Sequence, residues 1–326
     1  MNAKRLDYLD YTKGFGILLV IIGHIFNSDT IIKTWIYSFH MPLFFIISGC
    51  LFKIGEINIR ETFKKKIKHL IIPYILFSCL MILLKLLIYR HITGEIKSYI
   101  LYFVTGTGFD ALWFLLCLFI TEILYCIINK YIKNKIVLNI IICILFFIGL
   151  YGKDIYSNLI LVTIYRSFIA LGFFTIGSYT FDYVKNNNIS YVAIIILVAI
   201  LTVLAVNNKC VDLWGLRFNN KILYIICSII GSYFSIFLFK RIATIREFKL
   251  LEYFGRNSLI IMATHQIILE FFNKILNISF DGFLLPVTIL LVVLIIEIPI
   301  IYIVNNYLPF MIGKFKKKEK VQTITD

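Results

Sequence analysis

Charged side chains are scarce in this sequence. Only 16% of its 326 residues are Asp, Glu, Lys or Arg, whereas 60% are hydrophobic, and the mean hydropathy is +0.89. A soluble domain of this length with so little charge would expose too much apolar surface to stay dispersed, which argues against a soluble protein. Apolar stretches long enough to cross a bilayer recur along the whole chain. We therefore predict a polytopic membrane protein.

The cysteine and histidine patterns typical of redox or metal centres are absent as well. The seven cysteines show neither metal-ligand spacing nor a paired framework, and six of them fall inside apolar stretches, where cysteine behaves as a small hydrophobic residue. No H-x-x-x-H pair and no H-E-x-x-H helix occurs, so every ligand of a metal site would have to come from a different helix. Neither redox chemistry nor a metal is expected.

Acidic residues are few, 18 against 33 Lys and Arg, which gives a net charge of +15. The position of the basic residues argues against nucleic acid as the reason for this excess. With the N-terminus inside, the predicted inner segments carry 22 of them and the outer loops seven, which follows the positive-inside rule. The run "FKKKIKH" (63–69) is either a solvated loop face or a site for an anionic ligand or lipid.

Helices fit the spanning segments, since strands of a membrane β-barrel would be shorter and would alternate polar with apolar residues. We predict an all-α bundle with about ten transmembrane helices and both termini cytoplasmic, and the pattern allows eight to eleven. Residues 1–313 form the membrane domain and residues 314–326 a basic cytoplasmic tail. The predicted spans cover residues 14–28, 34–52, 70–89, 111–129, 136–150, 158–181, 189–207, 221–239, 255–276 and 283–305.

Several ionisable side chains fall inside these spans, where each costs several kcal/mol unless it is paired. A functional role is the first hypothesis for such residues, and a hydrogen bond between helices is the structural alternative. They are His24, His40, Lys85, Glu122, Arg166, His265, Glu270 and Glu297.

The first span carries the most informative pattern. At about 100° per residue, Asp10, Lys13 and His24 fall on one stripe of the helix, with His24 about 16 Å beyond Lys13 along the axis. His40, on the next and antiparallel span, is expected at a depth similar to that of His24. Catalytic proton transfer suits such histidines, because imidazole titrates near neutral pH.

Five blocks of sequence resemble the signature blocks of acyltransferase family 3, and most of all its branch of fucose 4-O-acetylase-like sugar acetyltransferases. They occur in the family's order, and the first two together are specific. The blocks are "RLDYLDYTKGFGILLVIIGH" (5–24), "SFHMPLFFIISGCLF" (38–52), "KIKHLIIPY" (66–74), "LWFLLCLF" (112–119) and "GRNSLIIMATHQ" (255–266).

The resemblance implies a ten-helix enzyme of the bacterial inner membrane. Such an enzyme takes an acyl group, usually acetyl, from cytoplasmic acyl-CoA and delivers it to a hydroxyl of a carbohydrate at the outer leaflet. By this match His24 is the motif histidine, Asp10 and Lys13 are its charged companions, and His40 is the second-span histidine. Many members carry arginine where Lys13 stands. Many also carry an R-x-x-R pair where this chain has Lys66 and His69.

The stripe and the resemblance together predict a mechanism. Acetyl-CoA is expected as the donor, and His24 as general base or as an acyl-histidine nucleophile. The donor phosphates are expected to bind Lys13, Lys65, Lys66 and Arg256. The developing oxyanion is expected to accept a hydrogen bond from His40, Arg166 or His265. The acceptor is expected to bind Trp113 and Glu122, with Trp113 alternatively an interfacial anchor.

Two other functions remain open from the residues alone. Intramembrane charges and histidines also suit a proton-coupled transporter or exporter of a polysaccharide, lipid-linked sugar or small acid. The sequence lacks an internal repeat and pairs of Gly/Pro-broken helices, which many such transporters have. A non-catalytic membrane scaffold or sensor is the third hypothesis, and it predicts that loss of His24 and His40 together is tolerated.

Overall fold

A computed structural model describes residues 6–26, 30–52, 58–89, 96–108, 110–275 and 284–315 of the chain. Within these ranges the protein is all helical and contains no strand. Eight stretches of helix are long and apolar enough to cross a membrane. The prediction of an all-helical, multi-pass architecture is confirmed, while the count of about ten spans and the side of the termini stay predictions.

Fourteen α-helices follow one another along the described residues. They are α1 (Asp7–Ile25), α2 (Ile31–Tyr37), α3 (His40–Leu51), α4 (Ile59–Lys66), α5 (Ile72–Tyr89), α6 (Ile96–Thr105), α7 (Trp113–Tyr131), α8 (Lys135–Ile155), α9 (Leu159–Asn186), α10 (Tyr191–Asn208), α11 (Lys221–Ile242), α12 (Lys249–Arg256), α13 (Ser258–Ile275) and α14 (Leu284–Asn306). A π-helical turn, Ile67–Ile71, joins α4 to α5, and 3₁₀ turns cover Asp110–Leu112 and Pro309–Ile312.

Each of the ten predicted spans overlaps one of these helices or a pair of them. The second span is divided into α2 and α3 at Ser38 and Phe39, so that His40 begins a helix instead of lying inside one. Three short helices lie in segments expected to be connections, α4 before the third span, α6 before the fourth and α12 before the ninth. The ninth span accordingly begins at Ser258, after a break at Asn257.

Helix α1 is enclosed by protein. It packs against α2, α3, α11, α12, α13 and α14, and most of its residues are buried. It is not among the eight stretches that meet the length and hydropathy criteria, because Asp10, Lys13 and His24 lower its apolar character. A helix lined on all sides by other helices does not need an apolar surface, and polar residues can be held on it.

The outer helices show the opposite pattern. In the most apolar stretches of α8, α10 and α14, only 28%, 22% and 28% of the residues are buried inside the protein. Helix α10 leaves Val192, Ile195 and Val203 exposed. Apolar side chains exposed along a spanning helix are suited to contact with lipid. The polar site described below therefore lies on inner helices, away from the lipid-facing ones.

Glycines allow two pairs of inner helices to approach closely. A Cβ on Gly49 of α3 would lie 2.0 Å from the carbonyl oxygen of Phe174 on α9, and a Cβ on Gly177 of α9 would lie 2.0 Å from that of Ile46. A Cβ on Gly255 would likewise lie 1.8 Å from the Asp10 carbonyl oxygen. Small residues at such contacts let helix backbones pack without an intervening side chain. They set the positions of α1 and α3, which carry His24 and His40.

Candidate active site

Three of the predicted residues meet between α1, α3 and α13. The ring centroids of His24 and His265 are 5.3 Å apart. The ring of Tyr37 lies 6.4 Å from that of His24 and 4.8 Å from that of His40. The structure thus brings the histidines of the first, second and ninth predicted spans into one cluster, which the sequence separates by as many as 241 positions.

A cavity of about 580 Å³ borders this cluster. This volume lies within the range of small-molecule sites, roughly 300–1,000 Å³. His24 and His40 line it, and the exposed Arg217 lies at its rim. The other lining residues are Val20, Lys33, Tyr37, Met41, Asp110, Ala111, Trp113, Cys210, Asp212, Leu213, Trp214, Asn219, Met262 and Gln266.

Main-chain carbonyls determine which ring nitrogen of two histidines carries the proton. His40 Nδ1 lies 2.9 Å from the Ile36 oxygen, and His265 Nδ1 lies 2.8 Å from the Ile261 oxygen. A carbonyl oxygen can only accept, so Nδ1 donates in both cases and, in the neutral rings, Nε2 keeps a lone pair. His265 Nε2 is buried and has no hydrogen-bond partner among the described residues.

Gln266 contacts the third histidine, and sequence reasoning did not single it out. Its Nε2 lies 3.1 Å from His24 Nδ1 and 3.4 Å from His24 Nε2, and its Oε1 is buried without a hydrogen-bond partner among the described residues. With Nε2 toward the ring, the amide donates to the Nδ1 lone pair. Rotated by 180°, it accepts the Nδ1 proton through Oε1 and leaves the lone pair of His24 on Nε2. The only sequence signal is an amide directly after His265 in an apolar span.

An ion cluster lies at the edge of the cavity. Lys85 Nζ on α5 is 3.2 Å from Asp110 Oδ1 and 2.8 Å from Glu270 Oε1 on α13. Asp110 also lines the cavity, and its φ of 53° lies in the left-handed region, which is uncommon for a residue with a side chain. Lys85 and Glu270, two of the ionisable residues found in the spans, therefore neutralise each other, and Asp110 joins them from a connection.

Arg166 contacts main-chain oxygens in two connections, the one between α6 and α7 and the one between α10 and α11. Its NH1 donates to the Thr107 oxygen at 3.2 Å, and its NH2 donates to the Trp214 oxygen. Its guanidinium carbon lies 5.1 Å from the ring centroid of Trp113 and 5.8 Å from that of Trp214. Its Nε is buried and has no hydrogen-bond partner among the described residues, so the guanidinium keeps a donor beyond these two hydrogen bonds.

Residues 211–217 form a short hairpin, called here the mouth hairpin. The main chains of Asp212 and Arg217 exchange two hydrogen bonds of 2.8 Å, and Leu216 adopts a φ of 49° in the turn. The Asp212 carboxylate accepts from Arg217 NH2 at 2.9 Å, and this hydrogen bond raises the pKa of Arg217. Both charged side chains line the cavity, so the hairpin supplies part of its wall.

The predicted donor residues of the first and ninth spans share one carboxylate. Asp10 is buried, its Oδ1 lies 2.8 Å from Lys13 Nζ, and its Oδ2 lies 3.5 Å from Arg256 Nε. Arg256 also contacts Glu252 one turn earlier in α12. Two cations on different helices are therefore held together at this end of α1.

The other two predicted donor residues lie on α4. Lys66 Nζ is 2.7 Å from Glu122 Oε1 and 5.4 Å from the ring centroid of Phe52, and Lys65 is exposed. Glu122, predicted to bind the acceptor, is thus the partner of Lys66 and does not line the cavity. The structure separates these residues from the histidine cluster.

The stripe of α1 between Lys13 and His24 is closed by packing. Ile17 and Ile21 lie between them and have no exposed surface, and the α1 residues that line the cavity are Val20 and His24. The two polar ends of the stripe are therefore not joined by open space in this arrangement. A molecule passing along the stripe would have to displace both isoleucine side chains.

No three His, Cys, Asp or Glu side chains in the described part of the chain are placed to hold a metal ion.

The family model of acyltransferase family 3, described as an acyltransferase domain, matches residues 6–305. No curated protein and no solved structure matches the chain.

Proposed function

Because this chain belongs to acyltransferase family 3 and is a multi-pass membrane acyltransferase, we propose that it transfers an acetyl group from acetyl-CoA to a hydroxyl of a cell-envelope carbohydrate. The observation that carries this proposal is the partly exposed His24 at a cavity of about 580 Å³, in contact with Gln266 and beside two further imidazoles. Membership of an acyltransferase family favours group transfer over the transporter and scaffold hypotheses.

In the proposed reaction the lone pair of His24 Nε2 takes the proton of the acceptor hydroxyl. The oxygen attacks the thioester carbonyl carbon, a C–O bond forms, and the C–S bond breaks. The leaving thiolate takes the proton from the imidazolium. Throughout the reaction Gln266, in its rotated orientation, accepts a hydrogen bond from His24 Nδ1–H through Oε1. This hydrogen bond supports the positive charge on the ring, much as a carboxylate or amide orients the base in other acyl transfer sites.

The neighbouring imidazoles suit an accepting role. Since Nδ1 of His40 and of His265 donates to a carbonyl, their neutral rings present a lone pair and no proton at Nε2. Either can orient the acceptor by taking a hydrogen bond from a second hydroxyl. The oxyanion role predicted for them would need a proton on Nε2, which these tautomers do not carry.

The donor is proposed to enter from the end of the bundle that holds Lys13 and Arg256. Their charges suit the phosphates of CoA, and Asp10 holds the two side chains side by side. About 16 Å separates Lys13 from His24 along α1, a gap that the thin pantetheine arm would cover once Ile17 and Ile21 move aside. This end would lie in the cytoplasm of a bacterial cell and the mouth hairpin on the outer side of its inner membrane.

The test uses membrane vesicles from source cells that lack their own copy of the gene and express either the wild-type protein or a variant at His24. With labelled acetyl-CoA, His24→Ala should lower transfer to envelope glycans by at least about 100-fold, the usual contribution of a general base. The control is Thr202→Ala, which removes an intramembrane hydroxyl that donates within α10, to the Val198 oxygen. Turnover near wild type in His24→Ala would remove this residue from the mechanism.

An acyl-histidine intermediate predicts a different result in the same vesicles. Without acceptor, labelled donor would then leave about one acetyl group on the denatured protein, and His24→Ala would abolish it. General-base transfer leaves no such label. Mass spectrometry of surface glycans from cells with and without the gene would identify the acceptor and test the resemblance to the fucose 4-O-acetylase-like branch.

A further inference from the structure

The mouth hairpin is anchored to the bundle by main-chain oxygens. Arg166 donates to the Trp214 oxygen, and Lys153 of α8 donates to the Gly215 oxygen. Within the hairpin, the Trp214 amide donates to Asp212 Oδ1 at 3.0 Å. A loop tied at successive residues to two helices has a fixed position over the cavity, as a binding surface requires.

Trp214 itself is held in an orientation that leaves its ring accessible. Its Nε1 donates to the Thr107 oxygen at 3.0 Å, and Arg166 lies over the ring. Yet 46% of the residue is exposed and it lines the cavity. A large aromatic ring that is fixed, half exposed and turned toward a cavity is a typical feature of a ligand site.

Trp113 does not offer the same surface. Although it lines the cavity, only 5% of it is exposed, and the Arg166 guanidinium lies over its ring at 5.1 Å. The stacking predicted for Trp113 from the sequence therefore has little surface available. Arg166 lies between the two indole rings and contacts both of them.

The polar groups around Trp214 complement a hydroxylated ligand. Asp212, Arg217 and Asn219 line the cavity together with Trp214 and provide a carboxylate, a guanidinium and an amide. The Asn219 amide nitrogen already donates to two main-chain oxygens, so hydroxyl groups can donate to the Asp212 carboxylate and to Asn219 Oδ1 and can accept from Arg217. An apolar aromatic face bordered by such groups matches a sugar ring, which has C–H bonds on one face and hydroxyls around its edge.

We infer that Trp214 is the platform on which the acceptor sugar stacks, with Asp212, Arg217 and Asn219 selecting its hydroxyl pattern. The inference rests on the proposed function, since it assigns the acceptor site of that reaction. It makes Arg166 a positioning residue, which acts through Trp214, and it places acceptor recognition on the mouth hairpin, away from the acetyl donor.

Binding can be tested without acyl transfer, because the chain has only three tryptophans. The variant with Trp35→Phe and Trp113→Phe retains Trp214 alone. Oligosaccharides released by mild acid from the surface polysaccharide of the source cells should change its fluorescence saturably. In Trp214→Leu, which keeps the other two tryptophans, the same titration should produce no change. A saturable change retained by Trp214→Leu, or absent from the Trp214-only protein, overturns the inference.

Kinetics separate binding from support of the fold. Trp214→Leu should raise the acceptor KM about tenfold, with kcat and the acetyl-CoA dependence unchanged, and Trp214→Phe should raise it less because it keeps a ring. The matched control is Trp35→Phe, because the Trp35 ring packs on Phe39 and Phe234 and does not line the cavity. A lower kcat with an unchanged KM would contradict a binding platform.

The two proposals fail in distinguishable ways. If oligosaccharide binds at Trp214 but His24→Ala transfers acetyl normally, the mechanism is wrong and the sugar platform stands. If transfer depends on His24 but neither binding nor the acceptor KM depends on Trp214, the platform is wrong and the acyltransferase mechanism stands.

Discussion

At the scale of single residues, the candidate site depends on groups that hold others in one protonation or charge state. Carbonyl oxygens fix the neutral tautomers of His40 and His265, and Gln266 contacts His24. Lys85 forms ion pairs with two carboxylates, Glu270 on α13 and Asp110 in a connection. The two carbonyl contacts are made within four residues of each histidine, whereas the Gln266 contact and the Lys85 ion pairs join segments distant in sequence and do not follow from spacing along the chain.

Gln266 should act on the rate of transfer more than on binding. In Gln266→Leu the His24 imidazolium loses an accepting partner worth about 1.5–3 kcal/mol, so kcat should fall about 10- to 100-fold. The acceptor KM should stay within about twofold, in contrast to Trp214→Leu. The measurement is steady-state transfer from labelled acetyl-CoA, with Gln266→Glu expected to restore part of kcat. An unchanged kcat in Gln266→Leu would show that the amide does not serve His24.

Lys85 should matter for stability. Lys85→Met removes the positive charge beside Asp110 and Glu270, and removing one partner of a buried ion pair costs about 3–5 kcal/mol. We expect a clearly lower thermal midpoint in detergent. Lys85→Met combined with Asp110→Asn and Glu270→Gln should recover part of the loss. A single variant as stable as wild type would mean that the cluster is solvated well enough to need no neutralisation.

At the scale of helices, the site depends on the close approach of α3 and α9. Gly49 and Gly177 allow these backbones to meet, and α3 begins with His40. The division of the second span at Ser38 and Phe39 places that histidine in the first turn of a helix. The position of His40 therefore follows from helix packing as much as from its own contacts.

Gly177→Ala tests this contact. The added Cβ would lie 2.0 Å from the Ile46 main-chain oxygen, which cannot rotate away, so α3 and α9 must separate. Overpacking of this kind costs about 1–3 kcal/mol and should lower the thermal midpoint and the transfer rate together. The control is Ala199→Leu, on the exposed face of α10, where added volume meets no protein. Equal midpoints for the two variants would contradict a tight interface.

The predictable elements were those with a local signal. Long apolar runs predict spans that overlap all eight candidate membrane-crossing stretches of the described residues, and helical periodicity places Lys13 and His24 on one stripe. The break after Tyr37 contains no proline or glycine, so the apolar run gives no sign of it. Helix α12 is short and amphipathic, so it does not lengthen an apolar run. The partners of Lys85, Lys66 and Arg166 depend on which helices become neighbours, and no periodicity along one helix contains that information.

At the scale of the whole molecule, the polar groups divide into two ends. Lys13, Asp10 and Arg256 lie at one end of α1, and His24 lies with the cavity and the mouth hairpin toward the other. The positive-inside distribution of Lys and Arg predicts that the first end faces the cytoplasm. An acyl donor and an acceptor from opposite sides of a membrane would then meet near His24.

Thiol labelling can establish this orientation. Cys210 lines the cavity beside the mouth hairpin, so a protein that retains it as the single cysteine should react with a membrane-impermeant maleimide in intact cells. A second protein, with Lys64→Cys as its single cysteine on the exposed face of α4, should react only after the membrane is opened. Reversed labelling would invert the bundle and place the sugar site in the cytoplasm.

The anchoring of the mouth hairpin has a consequence for how such enzymes diverge. Arg166 and Lys153 hold it by the carbonyl oxygens of Trp214 and Gly215, which every amino acid possesses. Side chains of the hairpin can therefore be exchanged during evolution while its attachment to the bundle is kept. New acceptor preferences can arise by substitutions within the seven codons of this hairpin, with the chemistry at the first helix left untouched.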